Sequence, residues 1–210
     1  MAQKKTVFKP VQTSEMSLEK NRRTIVLASQ SPRRAQLLSE AGFTLTIVPA
    51  DIDETPRVGE SAVDMTVRLA AEKAEAVAKR HPYDVVLGAD TTVILYNEPL
   101  GKPLDLEDAR RMLRQLSGRE HRVVTGVALI RSQPQVRDVW FAETRVRFRS
   151  LTPAIIGRYL SLVHTLDKAG AYGIQEHGDL IVEEVCGLRS TVVGLPVEEV
   201  VERLRMNSGG

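Results

Sequence analysis

The stretch LASQSPRRAQLL, Leu27 to Leu38, sets two adjacent arginines, Arg33 and Arg34, directly behind a serine–proline pair. An apolar strand that gives way to Ser31 and Pro32 predicts a helix start, where free backbone N–H groups and the helix dipole favour an anion. Cations in a first turn are disfavoured by that same dipole. Their placement makes sense if an anion occupies the site, with guanidinium forks on phosphate oxygens and hydroxyl donors from Ser29 and Ser31. Two arginines facing water are the alternative, and the residues alone leave both readings open.

Asp90 closes the apolar run VLGAD. Ligand sites in open α/β sheets lie beyond the carboxyl ends of strands, and a carboxylate there can bind a divalent metal or activate water. A turn-capping aspartate is the other reading. The acidic loop DIDET supplies Asp51, Asp53 and Glu54, from which a second carboxylate could join Asp90; solvated loop acids are the ordinary alternative. Such oxygen ligands suit Mg2+ or Mn2+ with a phosphorylated substrate.

Lys102 lies in GKP, where Pro103 restricts the residue before it and so directs the lysine. Taken singly, Lys73, Lys102 and Lys168 each read as surface lysines. His81, His121, His164 and His177 show no metal-ligand spacing, so no zinc site is expected from them. Trp140 and Tyr159 are expected to pack rather than stack on a base. The single cysteine, Cys186, excludes an intrachain disulfide and suits a reducing compartment. Its apolar flank predicts a buried structural thiol.

The elements that must position these groups alternate along the chain. TIVLA predicts a strand, followed by a helix from Ser31 to about Ala41 that Gly42 ends. FTLTIVPA predicts a second strand. From Ser61 to Lys79, Val63, Val67, Ala70, Ala74 and Val77 recur at helical spacing and define one core face. DVVLGAD predicts a strand that TTVILYN could extend, before a turn at Glu98 to Lys102. A helix over Leu106 to Leu116 is opened by Asp105 and closed by Gly118. HRVVTGVALI and VWFAETRVRFRS read as strands; in the latter Thr144, Val146 and Phe148 alternate with Arg145, Arg147 and Arg149. TPAIIGRYLSLV predicts a helix capped by Thr152. LDKAGAYGIQEHGD has three glycines and no period, the mark of a long functional loop. LIVEEV predicts a strand and LPVEEVVERLRM the last helix. Interspersed strands and helices mean an α/β fold.

The chain has 210 residues, 42% of them hydrophobic and 27% charged, as expected of a globular protein of one domain or one domain with two lobes. A formal net charge of +2 is too small to imply nucleic acid. The Arg145, Arg147 and Arg149 face lacks the aromatic interleaving that would support such a reading. No apolar run is long enough for a membrane span, and the polar N-terminus lacks the core of a secretory signal, so a cytoplasmic location is expected. Residues 1–22 read as a flexible extension, 23–206 as the folded domain and 207–210 as a loose tail. Neither a G-x-G-x-x-G nor a Walker A sequence is present.

Taken in order, LASQSPRRAQLL, DIDET, RLAAEKAEA, VLGADTTV, GKPLD, MLRQLSGREHRVVTGVAL, DKAGAYGIQ and VVGLP resemble the Maf family of nucleoside triphosphate pyrophosphatases. The resemblance covers nearly everything from Ile25 to the last helix. It implies an elongated α/β fold like that of inosine triphosphatases, with a mixed central sheet and two lobes around a cleft. It implies hydrolysis of a nucleoside triphosphate to the monophosphate and pyrophosphate, with Mg2+ or Mn2+, and a homodimer without nucleic-acid or membrane partners. GAD at Gly88 to Asp90 and YGIQ at Tyr172 to Gln175 are similar to the branch acting on dTTP and UTP.

Carried onto this chain, the resemblance places Ser29, Arg33 and Arg34 on the phosphates, with Lys73 and Lys102 also in the cleft. Glu54 and Asp90 would serve the metal and the water, Asp90 as the catalytic residue. Gln175, expected as a buried amide, would recognise the pyrimidine. Two departures stand out: Glu176 and His177 replace the glycine usual after YGIQ, and Thr191 replaces a more usual asparagine. The first adjoins the base pocket, so modified nucleotides such as 7-methylguanosine triphosphate or modified pyrimidines are alternative substrates. A nucleotide-binding regulator of cell division without turnover is the non-enzymatic alternative, against which the retained Asp90 and Lys102 speak.

Overall fold

The computed structural model describes residues 24–206. The expected N-terminal extension and C-terminal tail lie outside the described residues. Among the described residues seven strands form one mixed sheet. They are β1 (Thr24–Leu27), β2 (Thr44–Ile47), β3 (Val86–Leu95), β4 (Glu98–Leu100), β5 (Glu120–Arg131), β6 (Val136–Phe148) and β7 (Val182–Cys186). The order is β2-β1-β3-β5-β6-β7, with β4 hairpinned onto β3. β1 runs parallel to β2 and β3, while β3, β5, β6 and β7 pair antiparallel in succession.

Six α-helices among the described residues join them: α1 (Pro32–Glu40), α2 (Ala62–Ala78), α3 (Leu106–Leu116), α4 (Pro153–Leu162), α5 (Arg189–Val193) and α6 (Val197–Met206). The N-caps follow from sequence chemistry. Ser61 accepts from the Asp64 amide at 3.1 Å, Asp105 from Asp108 at 2.8 Å and Thr152 from Ile155 at 3.3 Å, each satisfying a donor left free at a helix start. Ser31 caps α1 at the longer distance of 3.5 Å, with Pro32 at the first helical position.

Four expectations are corrected. Asp90 does not end a strand: β3 runs unbroken through it, because residues Val86–Ile94 pair with Arg122–Ile130 of β5 along their whole length. The turn lies at Tyr96–Asn97 rather than Glu98–Lys102; both residues have positive φ, 54° and 67°, the geometry of a tight hairpin, and Glu98–Leu100 is strand. Cys186 is exposed, since it sits on the outermost strand, β7, whose two faces are only partly covered. The 166–179 segment is more regular than a loop, with single 3-10 turns at Ala169–Ala171 and Gly178–Leu180. Helix α5, five residues long, was not predicted, for it is too short to show a period. The alternation in β6 holds, with Thr144, Val146 and Phe148 buried; Arg145 and Arg147 pair with Glu120, and Arg149 bonds the Val182 carbonyl.

The core falls into two regions joined by the long strands. At the β1 end, Ile25, Leu27, Leu87 and Val127 pack under α1 and α6, while Val26, Val86 and Ala128 on the opposite face pack under α2. At the other end Val93, Val123, Val146 and Phe148 pack with α3 and α4. The site lies between them.

Two glycines let α2 press onto the sheet. A Cβ on Gly88 would fall 2.2 Å from the Ala70 carbonyl oxygen and 2.8 Å from the Ala74 nitrogen; one on Gly126 would fall 2.6 Å from the Thr66 oxygen. All of these are helix backbone atoms, which cannot swing aside. Gly88→Ala is therefore expected to push α2 off β3 and to cost about 3 kcal/mol, the upper range for overpacking. Denaturant melts check this; a midpoint unchanged from wild type would refute the close approach.

Candidate active site

β1 stops at Leu27 and pairs with β3 only at Val86 and Leu87, so β3 continues past the carboxyl end of its neighbour. Strand alternation then sends Asp90 to the α2 face and Thr91 to the α1 face. Both line a cleft of about 670 Å3 between the two core regions. All eight residues singled out from the sequence, Ser29, Arg33, Arg34, Glu54, Lys73, Asp90, Lys102 and Gln175, line that one cleft.

On the α2 face the Lys73 ammonium bridges two carboxylates, 2.7 Å from Asp90 Oδ1 and 2.8 Å from Glu54 Oε1. Lys73 and Asp90 are largely shielded, at 12% and 14% side-chain exposure, whereas Glu54 is open at 57%. Burial pushes the Glu54 pKa up, but the Lys73 hydrogen bond and the charges of Lys73, Lys102 and Arg34 outweigh it and hold the carboxyl below its usual range. The loop carrying Glu54 is tied to α2 by Arg68, which donates to the Thr55 carbonyl at 3.2 Å and pairs with Glu60 at 2.6 Å. Asp53 does not join the site; its carboxylate accepts from the Thr55 amide and hydroxyl at 2.9 and 2.6 Å. Asp51 also lies outside the lining, so one acid of the DIDET loop serves the cleft.

On the α1 face Arg34 is held by three directed bonds. Its Nε donates to the Gly194 carbonyl at 2.8 Å, Nη1 to Ser29 Oγ at 3.1 Å and Nη2 to Thr91 Oγ1 at 3.0 Å. A guanidinium has five N–H donors, so one remains on each terminal nitrogen. Burial and the neighbouring Arg33 lower its pKa against the opposing pull of Asp90 and Glu54, yet arginine stays a cation throughout. Gly194 can offer this carbonyl because it follows α5 at φ 123°, a conformation that side chains rarely adopt.

Arg33 reaches across the cleft to Asp167 at 2.8 Å. Asp167 also meets Lys168 at 2.9 Å, and Lys168 meets Glu176 at 3.1 Å and donates to the His164 carbonyl. Burial raises the Asp167 pKa, but hydrogen bonds and charges from Arg33 and Lys168 prevail and bring it to about 2. Lys168 is not the surface lysine expected from its sequence: it is 5% exposed, since its stem packs over Gly173, whose missing Cβ would lie 2.8 Å from Lys168 Cε. Gln175 departs in the other direction. It is exposed on the cleft wall, whereas Ile174 beside it takes the buried position.

Under this loop His121 is 2% exposed, its Nε2 2.8 Å from the Tyr172 hydroxyl and its Nδ1 buried without a partner among the described residues. Burial lowers its pKa from 6.5 to about 4, so it is neutral. The unfolded chain therefore binds more protons than the folded one between these values, and stability present above pH 6.5 is lost as pH falls towards 4. The loss is expected to reach about 3 kcal/mol. Denaturant melts from pH 7 to 4 measure it; His121→Gln, which cannot titrate, should lack the slope, and an equal slope in that variant would place its origin elsewhere.

The two carboxylates also bear on a metal. Among the described residues no group of three or more His, Cys, Asp or Glu side chains forms a metal site. Mg2+ needs no such cage: one or two carboxylates, completed by substrate phosphate oxygens and water, are its usual set in phosphate chemistry. Glu54 and Asp90, already converging on one cationic point at Lys73, fit that donor set.

The model of the Maf-like protein family matches residues 24–207. The chain belongs to the Maf family. Relatives named dTTP/UTP pyrophosphatase include those of Myxococcus xanthus, 51% identical over 86% of this chain and 90% of its own, and Akkermansia muciniphila, 46% identical over 86% and 94%. That of Shewanella oneidensis is 48% identical over 86% and 96%. Among solved structures, the Staphylococcus aureus Ham1 protein aligns over 89% of this chain and 100% of its own, at 14% identity and a TM-score of 0.48. The cleft of this Maf chain also contains residues that sequence reasoning had not placed there: Thr91, Tyr172 and Gly194. For Thr91 a signal existed, since Thr91, Thr92 and Thr125 interrupt otherwise apolar strands.

Proposed function

We propose that this protein hydrolyses dTTP and UTP to the nucleoside monophosphate and pyrophosphate. The observation that carries the reading is the convergence on one cleft of Asp90 with four cations, Arg33, Arg34, Lys73 and Lys102. The names of its relatives supply the substrate class. Phosphate binding alone would call for the cations; the shielded carboxylate among them is what hydrolysis needs.

In this mechanism Asp90 accepts a proton from the water whose oxygen attacks the α-phosphorus. The new bond joins that oxygen to phosphorus, the bond from phosphorus to the α–β bridging oxygen breaks, and pyrophosphate leaves. Charge developing on the leaving group is met by the two free Arg34 N–H groups, by Arg33 and by Lys102, placed before the reaction starts. Lys73 orients Asp90, its ammonium lying 2.7 Å from Oδ1. Mg2+ or Mn2+, held by Glu54 and Asp90, would supply further charge neutralisation. Gln175 offers an amide donor and acceptor at the open wall, and a base that pairs both is favoured over one that leaves them unpaired.

The test is a screen of the purified protein against dTTP, UTP, purine and modified triphosphates with Mg2+ or Mn2+, detecting pyrophosphate. Release from dTTP and UTP above the others is the expected result. No pyrophosphate from any nucleotide would overturn the proposal.

A further inference from the structure

Thr125 lies in the middle of β5, fully buried among Val123, Val124, Val127 and Ala128, and it does not line the cleft. Its hydroxyl nonetheless belongs to a chain of bonds that ends on Arg34. Thr125 Oγ1 donates to the Thr191 carbonyl in α5 at 2.8 Å and lies 3.0 Å from Thr91 Oγ1, its cross-strand neighbour. A hydroxyl has one proton. With that proton committed to Thr191, Thr125 must accept from Thr91. Thr91, its own proton spent on Thr125, is left to accept from Arg34 Nη2 at 3.0 Å. The alternative acceptor for Thr91, the Gly194 carbonyl, is farther away at 3.4 Å.

Every donor in the chain thus points the same way, from Arg34 through Thr91 and Thr125 to α5, and bonds so aligned polarise one another. The Arg34 Nε bond to Gly194 reaches the turn that closes the same helix. α5 is itself fixed: the Leu188 carbonyl before it accepts from Thr144 Oγ1 at 2.8 Å, and Arg189 donates to the Ile174 carbonyl beside Gln175 at 2.9 Å. α5 therefore ties the arginine wall to the loop that carries the exposed amide.

We infer that Thr125 is a positioning residue for the reaction: its hydroxyl sets the direction in which Thr91 receives Arg34, and so where the two free guanidinium N–H groups point. The inference deepens the function proposed above and rests on Arg34 meeting the triphosphate. Thr125→Val removes the hydroxyl at nearly constant volume, whereas Thr125→Ser keeps it.

The expected result is a loss of kcat/KM for dTTP of roughly ten- to hundredfold in Thr125→Val, the scale of a misplaced positioning group. Thr125→Ser should stay within about threefold of wild type, since it restores the bond. A merely structural threonine would lower Tm without respecting that distinction, and its effect would not depend on Arg34. The decisive measurement is a double-mutant cycle with Arg34→Lys, in which Thr125→Val should add less than about twofold, because coupled residues are not additive. Equal kcat/KM in Thr125→Val and wild type, or a loss that persists in full on the Arg34→Lys background, would overturn the inference. Should Thr125→Val not fold, Thr91→Val breaks the same chain one link nearer the cleft, and the same cycle with Arg34→Lys decides. Wild-type turnover separates the two readings. If wild type releases no pyrophosphate from any nucleotide, the proposed activity falls, while the coupling of Thr125 to Arg34 is still read from the dTTP-induced shift in Tm across the same cycle.

Discussion

Asp90→Asn is expected to lower kcat for pyrophosphate release by about 10²–10⁴, the contribution of a positioned general base, while leaving the fold close to wild type. The two halves of this expectation have separate causes. An amide keeps the size of the side chain and its place in β3, but at neutral pH it cannot take a proton from water. The fold survives because Lys73 is not orphaned: its second partner, Glu54, stays 2.8 Å away, and β3 remains paired with β5 on either side of residue 90. Breaking a shielded pair is severe when it leaves an isolated charge, and here a carboxylate remains. Pyrophosphate assays beside thermal melts measure both quantities. Substantial metal-dependent turnover by a clean preparation of Asp90→Asn would remove Asp90 from the proposed role, leaving it as a partner of Lys73.

The elements were legible where local chemistry decides them. Capping residues at Ser31, Ser61, Asp105 and Thr152, with helical spacing between Val63 and Val77, placed α1 to α4 to within a residue or two. Two of the misses depend on three-dimensional contacts that no spacing rule records. Asp90 is a mid-strand residue because β5 pairs through it, and a period-two pattern cannot reveal how far a partner strand runs. Lys168 is buried because Gly173 lacks a side chain and because Asp167 and Glu176 both face its ammonium, an arrangement no run of residues displays.

The site shows the same division. Residue types that carry charge, Arg33, Arg34, Lys73, Asp90 and Lys102, could be proposed from sequence and do converge. What positions them could not, because the supporting groups are backbone carbonyls and hydroxyls. Any residue has a carbonyl, so nothing in the letters marks Gly194 or Thr191 as partners. The acidic loop is instructive in this respect. Asp51, Asp53 and Glu54 are chemically alike, yet the fold turns Asp53 onto Thr55 and sends only Glu54 to Lys73.

Arg34→Lys should be nearly as damaging to catalysis as Arg34→Ala, although it keeps the charge. The guanidinium spans three acceptors in three directions, Gly194, Ser29 and Thr91, and still presents one N–H from each terminal nitrogen. An ammonium is a compact point charge on a flexible stem. It can reach one or two of those acceptors, and then has no fixed pair of donors left for phosphate oxygens. Removing one preorganised donor that meets developing charge costs about 10²–10³ in rate, and kcat/KM is expected to fall by that order in both variants. A difference separates them in stability. Arg34→Ala leaves the Gly194 carbonyl and two hydroxyls without their donor, each worth about 1–3 kcal/mol where water cannot replace it, whereas the lysine satisfies part of that set. Steady-state kinetics for dTTP, compared with melting curves, tests the pattern. If Arg34→Lys retained wild-type kcat/KM, charge alone would suffice, and the directed geometry of the arginine wall, including its chain to Thr125, would have no catalytic meaning.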